Sequence, residues 1–345
     1  MATIHKTKDR GGIGMRSNRR THGKSWEWLM AVALLLVFVA GQSGAQGVGG
    51  GANATAVARH MNIARERAGS QWMSAVDFLC SEEPDVGGRD QAPMIEPVQL
   101  FDNLFAIGRI STVVYAITTS AGIILIDSGY EGQEESVLMP GLAQLDLDPS
   151  NIKYVIIAHG HRDHFGGAKY LQDRFGVRVV MASADWDLVE QAASGSDALP
   201  PPTRDLDAVD GMSIVLGDTE VNIVAVPGHT PGAIGLVFPV QDGDSTHVAG
   251  LFGGTVLIAA RMAEEPLQQY VRSIAHFAEV SGEMGVDVEI QNHPNFDGML
   301  EKLAELERRE TGAPHPFVVG EAAYQDFLNV ISECTQSELA RRGAG

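Results

Sequence analysis

Six consecutive residues, His159-Gly160-His161-Arg162-Asp163-His164, bring three imidazoles and one carboxylate into a single turn of chain. They follow the apolar run Tyr154-Val155-Ile156-Ile157-Ala158, which reads as a buried strand. Imidazole and carboxylate are side chains that suit zinc. In an extended segment His159 and His161, two residues apart, point to the same side. Asp163 and His164 come where the chain must turn, so they can face a second point in space. The spacing alone predicts a metal site holding two ions.

Two more histidines occupy the same kind of position. His229 follows the apolar run 221–226 in Pro227-Gly228-His229-Thr230-Pro231-Gly232, and His293 follows the run 286–290 in Gln291-Asn292-His293-Pro294. Sites in α/β folds gather at strand ends. Five histidines and Asp163 therefore form one convergent pocket. Asp127 ends another strand; it could orient a ligand or cap a turn. Thr255 and Asn292 flank the pocket as candidates for hydrogen bonds to a substrate. Phe165 and Trp186 read as core, with Phe165 close enough to wall the pocket. His60, His247, His276 and His315 fall in helix, strand or Pro-rich contexts and are expected on the surface or in packing.

The elements that must position these groups alternate. Short β-rich runs at 104–107, 113–118 and 122–126 are broken by Gly, Ser and Thr, and the last two form a hairpin around Thr119-Ser120-Ala121. Further strands are expected at 152–158, 177–181, 221–226, 234–238, 246–252 and 286–290, with another ending at Gly217. Helical patterns cover 55–80, 131–145, 166–175, 186–193, 267–281, 297–310 and 321–341. Strands interleaved with helices, with hairpin-like steps, predict an α/β sandwich with a mixed sheet.

The N-terminus follows other rules. Residues 1–24 carry seven basic residues against Asp9, and a thirteen-residue apolar run, Trp28 to Ala40, follows. Ser43-Gly44-Ala45 then offers a cleavage site. This order reads as a secretory signal peptide, residues 1–45, and predicts a periplasmic or secreted protein. The run is short for a membrane span, which needs about 20 apolar residues. The mature form is therefore expected off the membrane unless this segment stays uncleaved. Residues 46–54 are rich in Gly and Ala and read as a flexible linker. The organisation expected is a linker and N-terminal helix over 46–97, a catalytic domain over 98–300 and a C-terminal helical extension over 301–345.

The charge narrows the partners. Without its first 45 residues the chain keeps 18 Lys and Arg against 42 Asp and Glu. Such a surface repels nucleic acid and anionic lipid, leaving a small molecule as the expected partner. Only two cysteines exist, Cys80 and Cys334, and no Cys-x-x-Cys pair. In an exported protein an even count predicts one disulfide, tying an N-terminal helix to the last helix. Closing so long a loop contributes on the order of 4–5 kcal/mol by chain entropy.

The His-x-His-x-Asp-His run, the later Gly-His-Thr-Pro-Gly and a final histidine after a strand resemble the metallo-β-lactamase superfamily over residues 98–300. The resemblance implies an αββα sandwich of two mixed β-sheets flanked by helices, with a dinuclear zinc site at one edge. It implies that His159, His161 and His229 bind a first zinc, and Asp163, His164 and His293 a second. One departure matters. Most hydrolases of that superfamily, thioesterases and lactonases included, carry a bridging Asp in a Gly-Asp-Thr setting; here Gly253-Gly254-Thr255 stands there, and no cysteine replaces the Asp. This ligand set resembles the third subclass of class B β-lactamases. His161 also counts against flavodiiron-type oxidoreductases, which place Glu there.

Three neutral imidazoles leave zinc its charge and an open position, and a bound water then ionises near neutral pH, at about 7 rather than about 15.7. The expected reaction is β-lactam ring opening by a zinc-bound hydroxide, with Asp163 also handling a proton. A first rival keeps the fold and metal site but opens another cyclic amide, ester or lactone. A second is an exported zinc-binding protein without turnover.

Overall fold

The sheets are assembled from the short apolar runs of the sequence. The computed structural model describes residues 48–84, 91–193, 200–294 and 296–343, all within the unit Ala45–Gly345. The expected signal peptide and the first residues of the expected linker lie outside them. Strands β1 (Val98–Phe101), β2 (Leu104–Arg109), β3 (Thr112–Thr119), β4 (Gly122–Ile126), β5 (Ile152–Ile156), β6 (Arg178–Ala182) and β7 (Leu206–Ala208) form a seven-stranded sheet in that order. Its first three pairings are antiparallel and its last three parallel. Strands β8 (Ser213–Leu216), β9 (Thr219–Ala225), β10 (Ile234–Asp242), β11 (Ser245–Leu251) and β12 (Val288–Glu289) form a second sheet, ordered β12-β11-β10-β9-β8. Only its β11–β12 pairing is parallel.

The central strands are buried on both faces, which explains their nearly continuous apolar runs. On β3, Val113, Tyr115 and Ile117 join the core between the sheets, where Leu236 and Phe238 of β10 meet them. Val114 and Ala116 point the other way. They pack with side chains of α3 (Met139–Gln144), α4 (Arg162–Phe165), α5 (Ala168–Phe175) and α6 (Ser183–Ala192). The second sheet is covered by α1 (Val48–Ala68), α2 (Met73–Leu79), α7 (Glu264–Glu283) and α9 (Glu321–Arg341). This is the αββα order of layers. Helix α8 (Met299–Glu307) follows the loop that carries His293. Among the described residues no helix is long and apolar enough to cross a membrane.

Several boundaries differ from the sequence reading. Helix α1 starts at Val48, so residues 48–54 are helical and not linker. A helix already nucleated by the Ala-rich turns that follow extends at small cost per residue, even through glycine. The single helix expected over 55–80 is two, because Gly69 breaks it in a left-handed conformation (φ 52°). The span 131–145 is a π-helical stretch, Glu134–Leu138, leading into α3. Strands β1 and β7 were not foreseen; each is an edge strand of three or four residues, too short for a periodicity to show. A disulfide joins Cys80, at the end of α2, to Cys334 in α9, as the cysteine count predicts.

Candidate metal centre

Parallel pairing of β4 with β5 sets the ends of both strands side by side. The backbone N–H of Asp127 donates to the Ile156 carbonyl at 2.8 Å. Just past β5 the chain runs extended through His161 (φ −88°, ψ 151°) and then turns into α4. That turn aims His159 and His161 one way and Asp163 and His164 another, as their spacing implies. The loops after β9 and β12 deliver His229 and His293 to the same edge.

The structure brings the six side chains together as two groups of three. One is His159, His161 and His229; the other is Asp163, His164 and His293. Within each group the potential ligand atoms lie within 4.8 Å of one another. His229 Nε2 is 3.1 Å from His159 Nε2 and 3.0 Å from His161 Nδ1. In the second group His164 Nε2 and His293 Nε2 are 3.1 Å apart, and Asp163 Oδ2 is 3.6 Å from each. The groups adjoin: the His159 and His164 rings are 3.8 Å apart between centroids.

These groups fit zinc. The other ring nitrogens of His164 and His293 are occupied: His164 Nδ1 donates to Asp127 Oδ2 at 2.6 Å, and His293 Nδ1 donates to the Ser111 carbonyl. In the neutral imidazoles each Nε2 is then an acceptor, and the two acceptors face each other at 3.1 Å with the Asp163 carboxylate 3.6 Å from each. A cation resolves that repulsion. Four ligands at 2.0–2.1 Å from a tetrahedral zinc are about 3.3 Å apart, close to the separations here. Burial, reinforced by the surrounding imidazoles, holds the pKa of His159 and of His229 well below 6.5, so both present lone pairs at neutral pH. His229 keeps partial solvent exposure, but protein atoms surround it densely enough for desolvation to dominate.

Two buried carboxylates hold the two halves. Asp127 is fully buried and adopts φ 62°, a left-handed conformation that Asp tolerates. Its Oδ1 accepts the Ala158 N–H at 2.8 Å, while Oδ2 accepts from His164 and from the Asn292 side chain. These contacts hold the His164 ring and the chain just before His159. Asp185, in the first turn of α6, was missed. Its Oδ2 accepts the Gly160 N–H at 2.6 Å and the Thr230 hydroxyl at 2.7 Å, and its Oδ1 accepts the Gly232 N–H at 2.7 Å. One fully buried carboxylate thus ties the His159–His161 segment to the His229 loop. A Cβ on Gly232 would stand 2.8 Å from that carboxylate, so the Gly is required. The signal available was an acid beside Trp186 on an otherwise apolar helix face; its partners are too distant in sequence to be read.

Both residues expected to touch a substrate are buried in the structure. The Thr255 hydroxyl is buried and lies 2.7 Å from the Phe252 carbonyl and 2.5 Å from Gln291 Oε1, so its proton stays within the protein. The Asn292 side chain is buried and donates to Asp127, while its carbonyl accepts the Val113 N–H at 2.9 Å. Both brace the centre and neither faces the cleft. Phe165 and Trp186 are core. His247 and His276 pair with Asp287 and Asp210, and His60 and His315 are packed against Glu333 and Phe101.

Gly254 closes the place where a bridging carboxylate was looked for. It has φ 77°, and a Cβ there would lie 2.6 Å from His229 Cβ and 2.7 Å from its Cγ. No side chain fits beside His229 as it stands. Next to this imidazole a cleft of about 580 Å³ opens between Pro231 and the segment Met262–Gln269, lined mainly by apolar atoms with Glu265 among them.

The comparisons agree with this geometry. The model of the Metallo-beta-lactamase superfamily matches residues 107–243. A hydroxyacylglutathione hydrolase of Acidiphilium cryptum is 30% identical over 197 residues, 52% of this chain and 73% of that protein. One of Cereibacter sphaeroides is 32% identical over 123 residues, and there the match spans only 44% of the relative's length. Among solved structures, BJP-1, a subclass B3 metallo-beta-lactamase of Bradyrhizobium japonicum, superposes with a TM-score of 0.64 at 29% identity, over 74% of this chain and 98% of that one. Native FEZ-1 of Legionella gormanii shares the fold with a TM-score of 0.63 at 22% identity, over 74% and 98%.

Proposed function

This chain belongs to the metallo-beta-lactamase superfamily and is a hydrolase, and on that premise we propose that it is an exported enzyme that opens β-lactam rings with two zinc ions. His159, His161 and His229 would hold one ion; Asp163, His164 and His293 the other. When bound, zinc supplies a hydroxide nucleophile near neutral pH and offsets charge developing on the attacked carbonyl oxygen.

The chain's own residues do the rest. Asp127 and the Ser111 carbonyl fix the ring orientation and tautomer of His164 and His293. Asp185 fixes the spacing of the other three imidazoles. The carboxylate of Asp163, 7% exposed and in the second group, would hold the proton that the departing amide nitrogen needs. The cleft beside His229 receives the substrate's side group.

The observation that carries the lactam reading is Gly254 packed on His229. It leaves Asp163 as the one carboxylate among the six groups and leaves no room for the bridging Asp that thioester- and lactone-cleaving members of the superfamily carry. The hydroxyacylglutathione hydrolase relatives favour a second reading, thioester hydrolysis at the same centre. Incubation of the zinc-loaded protein with a chromogenic cephalosporin tests the first reading. Ring opening that a chelator abolishes and zinc restores is expected; silence at micromolar enzyme, with thioester cleaved, would establish the second.

A further inference from the structure

His293 is delivered by a loop whose two ends are joined by buried charge. The strand entering the loop carries Glu289, and the helix leaving it, α8, carries Lys302. Lys302 Nζ donates to Glu289 Oε2 at 2.7 Å; the Glu289 side chain is wholly buried and that of Lys302 is 12% exposed. Asp297, also buried, stands between them in sequence and accepts the Met299 N–H at 2.8 Å, at the start of α8. Burial pushes the Asp297 carboxyl well above the usual carboxylate range, Lys302 opposing the rise and Glu289 adding to it. Burial also works against the Lys302 ammonium, but Glu289 and Asp297 outweigh it and keep it charged.

Nothing in the chemistry at the metal centre uses these groups, and a buried ion pair is a poor source of net stability compared with apolar residues of similar size. What the pair does is fasten the ends of the His293 loop. The loop's far side is held separately, by the Ser74 hydroxyl donating to the Phe296 carbonyl at 2.7 Å and by Phe78 stacked on Phe296 at 5.2 Å.

We propose that Lys302 and Glu289, with Asp297, are positioning residues that set His293 against Asp163 and His164 and thereby control how tightly the second metal position is filled. The proposal rests on reading the two groups of three as metal positions. Lys302→Met leaves Glu289 buried without its partner and unfastens the loop from α8. His293 then samples orientations in which Nε2 no longer meets His164 Nε2.

The test is titration of the metal-free protein with cobalt(II), followed by its visible absorption and by competition with a chelator, which reads the two positions separately. Lys302→Met is expected to weaken the second position about 10–100-fold, the usual effect of losing a group that orients a metal ligand. The first should stay within about twofold. Lys302→Arg, which keeps the charge, should restore the second position to within about fivefold. If Lys302→Met does not fold, Glu289→Gln/Lys302→Met, which removes both members of the ion pair, carries the same expectation. Weakening of both positions alike, or wild-type affinity at both, would overturn the proposal. A wild-type protein that binds fewer than two ions would instead overturn the two-position reading on which it rests.

Discussion

Asp127 Oδ2 and His164 Nδ1 lie 2.6 Å apart, and both side chains are wholly out of solvent. The carboxylate fixes which ring nitrogen of His164 faces the centre, and through Oδ1 it also holds the backbone at Ala158, one residue before His159. A single residue at the end of β4 therefore touches both halves of the cluster. Asp127→Asn should weaken the second metal position by about 10–100-fold. Zinc titration by calorimetry checks it; two unchanged affinities would remove Asp127 from this role.

Asp185 should matter as much for the other half, and for the fold. In Asp185→Asn an amide NH₂ replaces the oxygen that accepts from both Gly160 and Thr230, so donors face donors. A loss of about 2–4 kcal/mol is expected, from at least one buried hydrogen bond to a charged group and the penalty for orphaning its partners. Urea unfolding of the metal-free protein measures it, and a shift below about 0.5 kcal/mol would contradict the account.

Asp163→Asn separates ligation from proton handling. The variant should keep its fold and cut lactam hydrolysis by about 10²–10⁴, the usual contribution of a general acid–base group. Near-normal turnover with two zincs bound would show that Asp163 is a ligand alone.

Gly254→Asp should not convert the protein into a thioesterase. Its Cβ would meet His229 at 2.6 Å in a left-handed backbone conformation, so His229 must move. The expected outcome is loss of the first metal position and of lactam turnover together, read by zinc content and initial rates. A variant with two zincs and new thioester cleavage would refute the steric argument.

The metal-free protein should lose stability in mild acid. Burial first, and neighbouring imidazoles second, hold His159 below 6.5 in the folded state. The unfolded chain therefore binds a proton that the folded chain refuses. This penalty is absent at pH 8 and grows as pH falls below about 6.5, by about 1.4 kcal/mol per pH unit while His159 stays neutral. Melting temperatures of chelator-treated protein at pH 7.5 and 5.5 check the sign; a higher value at pH 5.5 would contradict it.

The centre was more legible in sequence than its supports. His159, His161, Asp163 and His164 share one short segment, and a period-two strand followed by a turn fixes where each points. His229 and His293 could be placed because each follows an apolar run in a Gly/Pro-shaped loop. Asp185 could not, since its meaning lies in contacts with Gly160 and Gly232, which only the assembled sheet edges bring to it. Thr255 and Asn292 were read by proximity to the cluster, but sequence proximity does not say which way a side chain turns. Both turn inward, because the bends they sit in have polar groups to satisfy. The same limit hid Lys302 and Glu289, whose pairing depends on how α8 packs back on β12.

The account turns on the closed position at Gly254, and one comparison tests it most directly. On a single preparation saturated with zinc, kcat/KM is measured for a carbapenem and for a hydroxyacylglutathione thioester. The account predicts that the carbapenem is the better substrate by at least about tenfold. A preference of similar size for the thioester would contradict it.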